Sequence, residues 1–197
     1  DDMGAPMPEP VNVITFPGTP NLPLFVAEEQ GFFGDAVRFA FHTTPSSTYQ
    51  IERLVAGEFQ IAGTAVDNVI AYQEGEGAVA LNADPDLFVF MGASQIELSL
   101  VASSDIASIS GLAARPIALD ALTTGFAFVA YALVEAGGVI PDACDWRPVG
   151  ATPQRWEALR EGDVACALLL EPFTGLARQQ GCHVLASSAQ VLPDYQG

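Results

Sequence analysis

A nine-residue pattern occurs twice in this chain. Leu54-Val55-Ala56-Gly57-Glu58-Phe59-Gln60-Ile61-Ala62 returns 105 positions later as Leu159-Arg160-Glu161-Gly162-Asp163-Val164-Ala165-Cys166-Ala167. Each copy reads as the end of a helix, a glycine that stops it, an acidic residue and a short apolar strand. The flanks match in kind. An extended stretch and a Thr-Pro loop precede each copy (Val37 to His42 with Thr44-Pro45; Trp146 to Gly150 with Thr152-Pro153), and an apolar helix follows (Val66 to Gln73; Pro172 to Arg178). Solenoid units run about 20–50 residues, so a repeat at this distance means two similar α/β lobes. Two facing lobes enclose a cleft, and the cleft is where function is expected.

Composition narrows the function classes. The net charge of −17 rests on 24 acids against seven arginines, with no lysine. Such a surface repels nucleic acid. Without lysine no side-chain Schiff base forms with a carbonyl substrate or pyridoxal phosphate, and no P-loop lysine grips a phosphate. No cofactor is expected. Half the residues are hydrophobic, enough for a sizeable core, yet no apolar run approaches the roughly 20 residues of a membrane span. The three cysteines make no disulfide scaffold. Cys166 and Cys182 sit in strand candidates that could be neighbours and bridged, although a buried thiol is the preferred reading; with His183 they fit no zinc spacing. The opening Asp1 to Pro10 is polar and Pro-rich, like the start of a mature exported protein or an expression remnant, and lacks the apolar core of a signal peptide.

Each half follows one plan. Val11 to Phe16 reads as strand, Pro17 to Asn21 as loop, and Leu22 to Gln30 as a helix ending at Gly31. The second half repeats this with Pro116 to Leu119, Asp120 to Gly125, and Phe126 to Ala136 before Gly137-Gly138. Further strands are expected at Ala78 to Leu81 and Phe88 to Met91, and at His183 to Ala186. This alternation predicts α/β lobes with mixed, mainly parallel sheets wound by right-handed crossovers. In such sheets ligands settle outside the carboxyl ends of the strands.

That rule selects the candidate ligand-binding residues. Phe16 and Asn21 lie in the first loop, Thr44 and Ser46 in the second, and Thr64, Asp67 and Asn68 in the third. Thr123, Thr124, Gly125, Glu171 and Phe173 come from the second lobe, and Ser94 and Gln95 from the passage between lobes. Many of these residue types also cap helices, and a capping role is the plain alternative for each. Phe16, Phe126 and Phe173, if they face the cleft, would sandwich a flat ring; core packing is the alternative. No catalytic residue is assigned: His42 and His183 read as structural, and Asp67, Glu97 and Glu171 serve better as acceptors for ligand N–H groups than as an acid–base set.

The chain resembles the substrate-binding proteins of ABC importers that carry sulfonates, nitrate, thiamine-pyrimidine or aromatic compounds, the SsuA-like periplasmic binding proteins. The resemblance is carried by Pro23-Leu24-Phe25-Val26-Ala27-Glu28-Glu29-Gln30-Gly31-Phe32-Phe33, by the Leu-x-x-Gly-acid repeat, by Ile106 to Leu112, and by Leu170-Glu171-Pro172-Phe173. It implies a type II periplasmic-binding fold with a segment 1–10, a first lobe over 11–92, a hinge at 93–96, a second lobe over 97–187, and a return segment at 188–197. It also implies an exported, periplasmic monomer that captures a small organic ligand, heterocyclic, aromatic or amine and conceivably a sulfonate, for ABC permease subunits. The alternative is an enzyme on the same fold working by acid–base chemistry without lysine. Members of that group run on for about a further third to complete the first lobe. The expectation is therefore a longer intact protein whose remainder packs on the lobe of Val11 to Phe16.

Overall fold

A computed structural model describes residues 9–35, 37–92 and 96–195. The expected hinge positions Ser94 and Gln95 lie outside the described residues. The first half runs β1 (Val11–Thr15), α1 (Leu22–Glu29), β2 (Phe39–Thr43), α2 (Ser47–Val55), β3 (Ile61–Gly63) and α3 (Val66–Gln73). After β4 (Ser99–Ala102), the second half repeats it as β5 (Pro116–Leu119), α4 (Gly125–Ala136), β6 (Asp145–Pro148), α5 (Thr152–Glu161), β7 (Cys166–Leu169) and α6 (Phe173–Gln179), and closes with β8 (His183–Ser187) and α7 (Ser188–Val191). The first sheet is parallel, in the order β2-β1-β3. The second has the order β6-β5-β7-β4-β8, with β5 parallel to β6 and β7, and β4 antiparallel to β7 and β8.

The duplication is physical. Val13 pairs with Ile61 in the first sheet, and Ile117 with Cys166 in the second. Gly57 and Gly162 both end a helix with a positive φ, 80° and 81°, a conformation that favours glycine. Each closes the same hydrogen-bond pair. Gly57 N donates to Leu54 O and Glu58 N to Arg53 O; Gly162 N donates to Leu159 O and Asp163 N to Ala158 O. A second repeat was hidden by residue type. The buried Gln50 on α2 donates from Nε2 to Ile14 O and Gly63 O at 3.2 and 3.0 Å. At the matching place on α5, the fully buried Arg155 donates to Leu168 O and Gly150 O, both at 2.7 Å, and to Thr152 Oγ1 at 2.9 Å. Each side chain ties a helix to the carboxyl end of its sheet, the edge from which the loops spring.

The second lobe holds most of the core. Side chains alternate across its sheet. Leu100, Ile117, Leu119, Cys166 and Leu168 pack with Ala127, Ala130, Leu133 and Val134 of α4. On the other face Val101, Ala118, Ala167 and Leu169 pack with Trp156 and Leu159 of α5 and Ala177 of α6. Burial on both faces explains why these strands read as unbroken apolar runs. The cysteine neighbours suggested by sequence are not neighbours: β4 lies between β7 and β8, and all three thiols are free.

Two expected strands are absent. Ala78 to Leu81 and Phe88 to Met91 have no strand structure, and Phe88, Val89, Phe90 and Met91 are 80, 54, 61 and 60 % exposed. Their apolar runs carry the strand signal, but a strand needs a paired edge. In the second sheet β8 joins through β4, which lies against β7. Among the described residues no counterpart of β4 pairs with β3, so the strand through which such a segment would join the first sheet is missing.

Candidate functional site

The carboxyl ends of the two sheets face one another, and their loops meet. Thr19 donates from N and Oγ1 to Glu171 O at 3.4 and 3.3 Å. Ala151 N donates to Pro45 O at 2.9 Å. Ser47 N, the first amide of α2, donates to both oxygens of the buried Asp120 carboxylate at 3.2 and 3.1 Å. Tyr195, beyond α7, donates from its hydroxyl to Asp67 Oδ2 at 3.0 Å.

Several candidates hold their own loops in shape. Asn21 is buried and donates from Nδ2 to Phe16 O at 2.6 Å, closing the turn after β1. Thr44 Oγ1 donates to Ser46 O, and Ser46 Oγ accepts from Tyr49 N as the N-cap of α2. Thr124 Oγ1 caps α4 by accepting from Ala127 N. Glu171 Oε2 accepts from Gly175 N in the first turn of α6. Ser46 and Thr124 thus cap helices, and Glu171 serves the first turn of α6, whereas Asn21 and Thr44 brace their own loops without a capping bond. The carboxyl-edge rule and the capping rule select the same residues, because a loop that leads into a helix start supplies both.

Asp67, Asn68, Thr64 and Gly125 form a tighter group. Asp67 Oδ1 accepts from Asn68 N at 2.9 Å, and Asn68 Nδ2 donates to Thr64 Oγ1 at 3.0 Å. The Asp67 carboxylate rests against Gly125, the first residue of α4, so closely that a Cβ there would overlap it. Burial pushes the Asp67 pKa up, opposed by the Tyr195 hydroxyl and the Asn68 N–H. Burial and the neighbouring Asp67 charge push the Tyr195 phenol up as well. Beneath the boundary, burial pulls Arg155 down to about 10, against the opposing pull of Asp120.

The aromatic sandwich does not form. Phe126 packs against the core on one face of the second sheet, and Phe173 packs against the core on the other face while also lining the boundary. Its company there is Phe25: a shallow groove of about 330 Å³ is lined by Pro17, Gly18, Thr19, Leu22 and Phe25 from the first lobe and by Pro172 and Phe173 from the second. Thr123 is exposed in the loop that leads into α4. His42 bonds Asn12 and His183 bonds Ile106 O. Sequence reasoning missed Asp120, which the strand-end rule points to as the first residue after β5, and Tyr195, which meets Asp67 from 128 positions away and has no local signal. Among the described residues no group of acids, histidines and cysteines is arranged to hold a metal, and no helix is long and apolar enough to cross a membrane.

No protein-family model matches the sequence, and no curated protein matches it. Solved structures do match in shape. The ligand-binding component of an ABC-type import system from Staphylococcus aureus, solved with zinc bound, superposes with a TM-score of 0.74 at 13% identity, over 96% of this chain and 64% of its own. The alkanesulfonate-binding protein SsuA from Xanthomonas axonopodis pv. citri, bound to MOPS, gives 0.67 at 13% identity over 93% and 62%. The periplasmic aliphatic sulphonate-binding protein SsuA from Escherichia coli gives 0.65 at 15% over 96% and 64%. The chain therefore spans less than two thirds of the length of each of these three proteins. Its fold is the periplasmic-binding-protein fold, and its structural neighbours include the SsuA-like proteins that the sequence motifs resemble.

Proposed function

We propose that this chain is the ligand-binding part of an exported solute receptor that captures a small organic molecule between its lobes and delivers it to an ABC permease. The observation that carries the reading is the boundary itself. Loops from the carboxyl ends of both sheets meet there, and the groove beside them takes its walls from both lobes, with Phe25 on one side and Phe173 on the other. A flat heterocyclic or aromatic ring gains burial and edge or face contact between two such side chains. Polar recognition falls to Thr64, Asp67 and Asn68 on the first lobe and to Thr123, Thr124 and Glu171 on the second. Lobes that each hold part of the ligand close by a hinge motion, and the closed form is what a permease would read.

The reading assigns no chemistry to the site. General acid–base catalysis needs a positioned proton donor and acceptor within reach of one reacting atom. Here the boundary carboxylates are engaged as acceptors from Asn68, Ser47, Tyr195 and Gly175. A calorimetric and thermal-shift panel of sulfonates, pyrimidines, amines and aromatic acids tests the proposal. Saturable binding that raises the melting temperature, with the compound recovered unchanged, is the expected result. Turnover of any compound would contradict it.

A further inference from the structure

The polar part of the lobe boundary carries its own anions. A helix start binds oxyanions through free amide N–H groups and the positive end of the helix dipole. In this chain two of the starts at the boundary already have a carboxylate from the opposite lobe against them. The α2 amide of Ser47 points at Asp120 from the opposite lobe, 3.2 and 3.1 Å from its two oxygens. In the other direction Asp67 rests on the first residue of α4, and its Oδ1 also serves the start of α3 through Asn68 N.

No arginine offsets these charges for an incoming anion. Arg155, the one beside Asp120, spends its donors on Leu168 O, Gly150 O and Thr152. Arg53, Arg115, Arg147 and Arg160 pair with acids on the exposed surface. Arg178 lies in the last turn of α6, and Arg38 precedes β2, both at the far ends of their elements from the boundary.

A second observation points to what the site does accept. Asn68 Oδ1, Ser47 Oγ and Thr174 Oγ1 are buried with no hydrogen-bond partner among the described residues, in side chains only 7, 2 and 5 % exposed. All three sit in the first turns of helices that begin at the carboxyl edges. Buried polar atoms are ordinarily paired, and leaving one unpaired is costly. The Asn68 amide oxygen can only accept; the two hydroxyls can do either.

We propose that Asp67 and Asp120 are built-in anions that bar oxyanions from the lobe boundary and, with Asn68 Oδ1, select a ligand that presents ammonium or N–H donors. This rests on the receptor reading above. It also sets the chain apart from its structural neighbour that binds MOPS, because a sulfonate entering here meets two fixed carboxylates at the positions it would need.

Calorimetric titration with MOPS, at fixed ionic strength and at a pH well above the pKa of its morpholine nitrogen so that the probe carries only its sulfonate charge, on wild type, Asp67→Ala and Asp120→Ala, tests the proposal. Removing either carboxylate frees a helix start. At least one variant should bind MOPS tenfold or more tightly than wild type, which is ~1.4 kcal/mol. Asp67→Ala is at a half-buried position and keeps the test open if Asp120→Ala, beside the buried Arg155, does not fold. Wild type binding MOPS as tightly as the variants would overturn the charge selection and leave the receptor reading standing. Folded variants that bind MOPS no better than wild type would overturn it as well. The receptor reading fails separately, on turnover.

Discussion

Replacing Gly125 by alanine puts a methyl group where the Asp67 carboxylate rests. Within α4 the change is favourable: alanine is the better helix former by up to about 1 kcal/mol, and Gly125 is not among the glycines with positive φ. Across the boundary it is unfavourable. Asp67 must move away from α4, stretching or breaking its bonds from Tyr195 OH at 3.0 Å and Asn68 N at 2.9 Å. Hydrogen bonds to a charged group contribute about 1.5–3 kcal/mol each, so losing one or both outweighs the helical gain and favours separated lobes. Gly125→Ala should enlarge the radius of gyration in solution scattering and lower the urea midpoint. In the Asp67→Ala background the same methyl meets no carboxylate, and Gly125→Ala should be neutral or stabilising. The double-mutant cycle should therefore show a coupling of at least about 1.5 kcal/mol; residues without contact add to within about 0.5 kcal/mol. Additivity at that level, with unchanged scattering, would refute the placement of Asp67 against α4.

Arg155→Ala leaves Leu168 O, Gly150 O and Thr152 Oγ1 without their donor, at about 1–3 kcal/mol for each buried group left unpaired, and should lower the urea midpoint more than any single-bond loss. Gln50→Ala, which removes a neutral donor at the equivalent place, should cost about 1–3 kcal/mol. Because burial raises the Asp67 pKa in the folded state, its ionisation is penalised there. The penalty is absent below the unfolded value of about 3.9 and grows as pH rises through the folded one. The stability of Asp67→Asn relative to wild type should therefore increase across that window and then level off, as read by thermal melts against pH; a falling difference would contradict the assignment. Burial also pushes the Cys166 thiol well up, and Cys144 and Cys182 less so. An aromatic disulfide reagent should modify the last two first and reach Cys166 only on unfolding.

The duplication was legible because its carriers are constrained by backbone geometry. Gly57 and Gly162 must both take φ near 80°, a demand that fixes the residue type and makes the repeat visible. The Gln50 and Arg155 tethers were not legible, since any long side chain with N–H donors can reach the same carbonyls, and the pair shares no letter. The strand ends and helix starts around the boundary were placed closely by apolar runs and turn residues, down to Pro116–Leu119 for β5 and Val66–Gln73 for α3. Which of those residues face the other lobe was not legible. Asp120 and Asp67 are defined by partners 73 and 128 positions away, and a polar residue that caps its own helix looks the same in sequence as one that reaches across. The apolar runs at Ala78 and Phe88 misled for a related reason: periodicity reports what a segment can bury, while a strand also needs an edge.

The central claim is that one small molecule is held by both lobes. Amide chemical-shift mapping during titration, with the tightest compound from the binding panel, tests it most directly. Thr64, Asn68 and Thr19 on the first lobe should shift together with Thr123, Thr124 and Phe173 on the second, with a single affinity. Shifts confined to one lobe would contradict it.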